Sequence, residues 1–121
     1  MKKVMVPYSS EIGKIKGSRF IADLYPVTSI DDAMSVLREL RVLRKDASHL
    51  CYGIRISPTN YRFSDDGEPR NSAGMPILNR MKSHELIGSI CTVSRYYGGV
   101  KLGIGGLIRA YGSAASKVIS E

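Results

Sequence analysis

The residues best placed to do chemistry crowd between positions 95 and 112: Arg95-Tyr96-Tyr97-Gly98-Gly99-Val100-Lys101-Leu102-Gly103-Ile104-Gly105-Gly106-Leu107-Ile108-Arg109-Ala110-Tyr111-Gly112. Gly98, Gly99, Gly103, Gly105 and Gly106 surround a single lysine, Lys101. Glycine frees the backbone to take positive φ and lets another group come close. Backbone N–H groups at the start of a helix favour anions. Arg95, Lys101 and Arg109 bracket the glycines, and Tyr96, Tyr97 and Tyr111 offer ring faces beside them. Cations and aromatic faces around exposed amides suit phosphates and bases. Arg19 and Arg55 join this set if the open sheet faces that carry them adjoin the corner. The spacing matches neither a Walker A loop nor a dinucleotide fingerprint. A second reading therefore stands beside the first, in which the glycines serve only tight strand–helix packing.

The other chemical candidates are weaker. Ser64-Asp65-Asp66-Gly67-Glu68-Pro69-Arg70 is the most acidic segment of a basic chain. Hard cations take several carboxylate oxygens, but the segment lacks the EF-hand pattern. It reads as a structural loop, with Asp65 or Asp66 in an Asx turn and Glu68 restraining a neighbouring arginine such as Arg62 or Arg70. No metal and no cofactor are expected. His49 and Cys51 lie two apart on one strand face, as a base and a nucleophile could, yet no third group orients them. A structural histidine and a buried thiol are the expectation. His84 falls at a helix end. With no catalytic constellation, the reading leans against an enzyme.

The elements that must position these residues follow from periodicity. Ile87 to Val93 is a short β-branched run that reads as a strand. Ile104, Leu107, Ile108, Tyr111, Ala115, Val118 and Ile119 recur at helical spacing. The helix they predict buries Leu107, Ile108, Tyr111 and Val118. Upstream, Val4-Met5-Val6 reads as the start of a strand that Pro7 confines to an edge. Ser18 to Tyr25 alternates, with Phe20, Ala22 and Leu24 on one face. Ser29 then caps a helix, with Asp32 three residues on; its apolar stripe is Ile30, Ala33, Met34, Leu37 and Leu40. Arg38, Arg41, Arg44 and Lys45 load its last turns and read as a solvated helix end.

His49 to Ile56 alternates again, and the turn at Ser57-Pro58-Thr59-Asn60 returns the chain as a hairpin through Tyr61 to Ser64. Pro76 suits the first turn of a further helix carrying Ile77, Leu78 and Met81. The hairpin argues for an antiparallel or mixed sheet. The expected fold class is α+β, a two-layer sandwich with the helices on one sheet face.

The 121 residues suit a single domain, 1–121, and 43% hydrophobic with 24% charged residues is ordinary for a globular protein. The net charge of +7 and pI near 9.6 suggest an acidic partner, nucleic acid ahead of membrane. The apolar run near Met1 is too short for a signal peptide, and no stretch approaches a membrane span. Cys51 and Cys91 lack Cys-x-x-Cys spacing and fit buried thiols in a reducing, cytoplasmic setting.

Five segments then match, in order and at matching spacing, a known pattern: His49-Leu50-Cys51-Tyr52; Arg62-Phe63-Ser64-Asp65-Asp66-Gly67-Glu68-Pro69; Ala73-Gly74-Met75-Pro76-Ile77-Leu78; Arg95 to Gly103; and Gly105 to Tyr111. With Glu11 and Ser18-Arg19-Phe20-Ile21-Ala22, the chain resembles the Impact family, also called YigZ-like, over nearly its whole length. Asn71-Ser72 stands where Gly-Thr is usual in that family, and Ser94 and Tyr97 replace the commoner Thr and Phe. The resemblance implies the fold of the second domain of ribosomal protein S five, also seen in domain IV of elongation factor G. It implies a single Impact domain, without the C-terminal ferredoxin-like domain usual in bacterial relatives or the RWD domain of eukaryotic ones. Eukaryotic members restrain a starvation-responsive kinase that phosphorylates an initiation factor. The function implied is regulation of translation, through RNA or ribosome binding at the glycine corner. The alternatives are a protein-interaction regulator of that kinase pathway without RNA contact, and a protein or enzyme that takes a small phosphorylated ligand.

Overall fold

The computed structural model describes all 121 residues, which form one five-stranded sheet and three helices. In chain order the elements are β1 (Tyr8–Glu11), β2 (Arg19–Pro26), α1 (Ile30–Leu43), β3 (His49–Ser57), β4 (Asn60–Ser64), α2 (Gly74–Ser83), β5 (Ser89–Tyr96) and α3 (Gly103–Ile119). The strands lie in the order β1-β2-β5-β3-β4, and every neighbouring pair is antiparallel. β5, the strand that runs into the glycine corner, sits at the centre and is buried almost throughout. The first strand begins at Tyr8 rather than Val4. Pro7 lacks a backbone donor, and pairing with β2 starts just after it, at Tyr8 opposite Leu24, while Val4 still reaches the core.

Side-chain alternation divides the core in two. Phe20, Ala22 and Leu24 of β2, Cys51 of β3, and Cys91 and Val93 of β5 point to one face, where Ile77, Leu78 and Met81 of α2 and Leu107, Tyr111, Ala115 and Val118 of α3 cover them. Leu50 and Ile54 of β3 and Ile90 of β5 point to the other, where Ala33, Leu37 and Leu40 of α1 pack. The expected two-layer arrangement with helices on one face is therefore corrected to three layers. Both faces of β3 are apolar, and a second apolar face needs its own cover. The Phe20 and Tyr111 rings meet edge to face at 5.3 Å in the larger core.

The topology has a geometric consequence. β2 and β3 are parallel with β5 between them, and so are β4 and β5 with β3 between them. The two crossovers run in opposite strand directions and opposite ways across the sheet, so equal handedness would put α1 and α2 on the same face. They lie on opposite faces, so one crossover is left-handed, a form found in only about 2% of such units.

The helical stripe of α3 is as expected in spacing but not in burial. Leu107, Tyr111, Ala115 and Ile119 form one i, i+4 row, whereas Ile104 and Ile108 begin the adjoining row and are 59% and 42% exposed. The expected burial of Ile108 is corrected: the protein body does not cover its row over the first two turns, whereas the row that starts at Leu107 is buried.

Candidate nucleic-acid and phosphate site

The strand β5 ends at Tyr96 and α3 begins at Gly103, so residues 97–102 form the corner between the central strand and the longest helix. Ser18 and Ser48 pin that corner. The Ser18 hydroxyl accepts hydrogen bonds from Arg95 Nε (3.3 Å) and from the Gly98 amide (3.2 Å), and the Ser48 hydroxyl accepts one from the Tyr97 amide (3.1 Å). Gly98 is there for packing: a Cβ on it would come within 2.1 Å of the Gly17 carbonyl carbon. Gly103 is there for conformation, with φ of 75° and no atom within 4 Å of a Cβ. The packing and functional readings of the corner thus fall on different glycines.

Beside the corner lies a cleft of about 440 Å³, lined by Ser48, His49, Glu68, Arg95, Tyr97, Lys101 and the first residues of α3. Behind it is a buried polar network. Glu68, from the acidic loop, accepts hydrogen bonds from Arg95 Nη1 on both carboxylate oxygens (3.1 and 2.9 Å) and from the Tyr111 hydroxyl (2.6 Å). Burial, with the neighbouring Cys51 and Glu68, pushes the Tyr111 phenol far up, so it stays a donor. His49 Nδ1 lies 2.8 Å from the Asp66 carbonyl oxygen, an acceptor only, so that nitrogen carries a proton. His49 Nε2 faces Glu68 at 3.5 Å. Burial pushes the Cys51 thiol up to about 12, and its Sγ donates to the Asp65 carbonyl at 3.0 Å. A protonated, hydrogen-bonded thiol is a poor nucleophile.

The acidic loop is occupied with backbone amides. Asp65 accepts from Asn71 (2.8 Å), Ala73 (3.1 Å) and Gly74 (2.8 Å), capping α2, while Asp66 accepts from the Leu50 amide at 2.7 Å. Glu68 finds its arginine 27 residues away at Arg95, not at Arg62 or Arg70 as the sequence suggested.

The arginines, tyrosines and glycines named from sequence sort by place. Arg95 is 4% exposed, held by Glu68 and stacked 5.2 Å from the Tyr97 ring centre. Lys101 and Tyr97 are exposed at the cleft mouth. Gly103 lines the cleft, whereas Gly106 and Arg109 line a second hollow with Ile15, Lys16 and Leu102. Leu102 borders both, so Lys101 and Arg95 lie on one side of it and Lys16 and Arg109 on the other. A Cβ on Gly105 would meet only the guanidinium of Arg109. Gly99, with φ of 90°, stands in open space.

Arg19 and Tyr96 pair across β2 and β5 on the opposite sheet face, with the guanidinium 5.3 Å from the ring centre. Arg19 is also bonded to Glu11 at 2.8 and 3.1 Å, which lowers the Glu11 carboxyl below its usual value. Arg55 does not join the corner. It sits buried at the far end of β3, opposite Ser89, and donates to the Leu86 carbonyl at 3.0 Å. Ser18, Ser48, His49 and Lys16 are the contributors that sequence reasoning missed.

The amides at the start of α3 complete the site. The helix has no side-chain cap and no acidic residue in its first turn, so its first N–H groups lack partners within the protein. Exposed amides, Lys101 and the Tyr97 ring converge on one cleft mouth, an arrangement able to bind an anion and stack a planar group.

The family model for the Impact N-terminal domain matches residues 16–119. The chain belongs to the Impact family. An Impact family member from Thermus thermophilus is 46% identical over 105 residues, covering 87% of this chain and 56% of the relative. YvyE of Bacillus subtilis is 38% identical over 109 residues, covering 88% and 50%, and YigZ of Escherichia coli is 34% identical over 114, covering 91% and 56%. The chain thus spans about half the length of these Impact relatives. A crystal structure described as that of a hypothetical protein superposes with a TM-score of 0.90 at 32% identity, over 96% of this chain and 58% of the other. The two-domain translational regulator Yih1 shares the fold, with a TM-score of 0.55 at 24% identity over 95% of this chain and 44% of the other. Within this Impact domain, no helix is long and apolar enough to cross a membrane.

Proposed function

We propose that this Impact chain is a translation-linked regulatory protein that binds RNA, free or in the ribosome, along the surface at the start of α3. The observation that carries the reading is the pair of hollows flanking Leu102, one with Lys101 and Arg95, the other with Lys16 and Arg109, with the uncapped amides of α3 between them. A strand laid over that surface meets cations on either side and the Tyr97 ring on the way. The net charge of +7 adds long-range attraction. Family membership and the likeness to Yih1, a translational regulator, support the translational setting. We carry the relationship to the second domain of ribosomal protein S five as part of the same proposal, with α2 and α3 on one sheet face in its support. The setting we propose is cytoplasmic.

A specific observation favours a second reading. Val100, Ile104 and Ile108 are exposed apolar residues around the same corner, and a protein partner of the regulatory pathway would cover them without touching RNA. Salt separates the two. Phosphate contacts make log affinity fall steeply with log salt, and Lys101→Ala and Arg109→Ala should each flatten the slope for single-stranded RNA by about 0.7. Affinity and slope that do not change in either variant, at unchanged stability, would remove RNA from this surface. Capture of ribosomal components that survives nuclease would favour the protein reading.

A further inference from the structure

The cleft beside Lys101 differs from the hollow beside Arg109 in a way that bears on what part of an RNA it takes. Its back wall is the network of Glu68, Arg95, Tyr111 and His49, and its other side is open to solvent. The only carboxylate lining it, Glu68, is 9% exposed and already carries bonds from Arg95 and Tyr111. Arg95 is nine-tenths buried, yet its hydrogen bonds use Nε and Nη1 alone, leaving Nη2 without a protein partner on a side chain that lines the cleft. To that the structure adds Lys101 and the bare amide end of α3. These donors converge from three different elements, β5, the corner and α3.

Resting on the RNA reading above, we infer that this cleft binds a terminal phosphate, the phosphomonoester of a nucleotide, with the attached base stacked on Tyr97. The charges decide between monoester and diester. The charge of Arg95 is balanced by Glu68, so the free positive charge comes from Lys101, one unit, and from the helix start, roughly half a unit. A phosphomonoester carries about −1.5 to −2 at neutral pH and has three acceptor oxygens, which fits that sum and the fan of donors. An internal phosphodiester carries a single charge and has only two unesterified oxygens, which matches neither. The volume of about 440 Å³ falls in the range of small-ligand sites, roughly 300–1,000 Å³. The phosphomonoester has two sources of the same chemistry, a free nucleoside monophosphate or the phosphorylated end of an RNA. In the second case the following nucleotides run past Leu102 towards Lys16 and Arg109.

The test uses the full chain, with adenosine monophosphate, adenosine, and three pentaribonucleotides of one sequence: hydroxyl at both ends, phosphate at the 5′ end, and phosphate at the 3′ end. Affinity is read by calorimetry and by backbone amide NMR shifts. A phosphorylated oligonucleotide should bind about tenfold tighter than the hydroxyl-ended one or better, adenosine monophosphate should compete for it, and the Gly103 to Gly106 amides should shift. Lys101→Ala should remove about tenfold or more of that advantage, as loss of a charge-assisted contact does. Tyr97→Ala should weaken the nucleotide on the order of tenfold while leaving inorganic phosphate unaffected. Lys101→Glu supplies the control against misfolding, because it reverses a charge on an exposed side chain that lines the cleft; it should abolish the advantage in a folded protein. Equal affinity for all three oligonucleotides would overturn the terminal-phosphate site and leave RNA binding standing. Binding of adenosine monophosphate without any oligonucleotide would keep the site and overturn the RNA reading. No binding of either, or an advantage that survives Lys101→Glu, would overturn the site.

Discussion

The helix starts of α1 and α3 are built in opposite ways. At α1 the Ser29 hydroxyl accepts the Asp32 amide at 3.0 Å, Asp32 in turn accepts the Thr28 amide at 2.9 Å, and Asp31 adds a second carboxylate to the first turn. Every feature expected of a closed helix end is present within five residues. At α3 a leucine, Leu102, occupies the cap position in a helical conformation, no carboxylate follows, and glycine stands at three of the first four positions. The sequence closes one positive end locally and leaves the other open to solvent beside a lysine. A helix that needed only to be stable would be expected to carry the α1 solution at both ends. The difference leaves the amides of the α3 start without partners in the domain, the feature on which the proposed RNA surface rests.

What holds the open end in place is therefore non-local, and the largest predicted effect lies there. Glu68→Ala removes the partner of a buried guanidinium and of the Tyr111 hydroxyl together. Breaking a buried pair from one side costs about 3–5 kcal/mol, and chemical denaturation should show a loss in that range. A loss of a few tenths would mean that Arg95 finds water or another partner, and the back wall of the cleft would need redrawing. Next in size comes the anchoring of the first turns of α3. Leu107→Ala should cost about 2–5 kcal/mol as a buried leucine, while Ile108→Ala, one residue on, should cost about 1 kcal/mol or less because its side chain is 42% exposed. Similar losses in both would show that the exposed row is covered in solution, and that the α3 start is closed after all.

The contrast also explains what could be read from sequence. Ser29 and Asp32 were legible as a cap because the contacts sit three residues apart and depend on nothing else. The alternation of β3 was equally legible, since Leu50 and Ile54 must leave one side and Cys51 the other. Neither pattern says which helix covers which face, so the two-layer expectation went astray when α1 took the second face. Asp65 caps α2 from nine residues upstream of Gly74, and Glu68 pairs with Arg95 across 27 residues. Only the folded sheet brings such pairs together: β3 and β5 align His49 opposite Arg95, which puts both beside the acidic loop. The glycine corner was visible as a candidate from its composition. The division of labour within it was not, because Gly98 answers to Gly17 across the fold and Gly103 to its own φ.

The smallest predicted effects set the two helix starts against each other directly. Ser29→Ala removes a cap that the protein uses, and should destabilise it by about 1 kcal/mol. Gly105→Asp adds a carboxylate where α3 has none, and an anion in the first turn of a helix stabilises by about 0.3–1 kcal/mol at low salt, read against Gly105→Asn so that the gain from replacing a helical glycine cancels. The backbone at Gly105 is helical without positive φ, and only the mobile end of Arg109 lies near its missing Cβ, so the substitution carries no evident strain. Thermal denaturation should therefore move in opposite directions, down for Ser29→Ala against the parent and up for Gly105→Asp against Gly105→Asn, and salt should shrink the Gly105→Asp shift more than the Ser29→Ala shift, because a dipole term is screened and a short hydrogen bond is much less so. If Gly105→Asp destabilises instead, the amides at the start of α3 already have partners within the protein, and the opposition between a closed and an open helix end does not hold. If it stabilises, the natural glycine leaves that stability unused, which is what a surface reserved for an anionic partner requires.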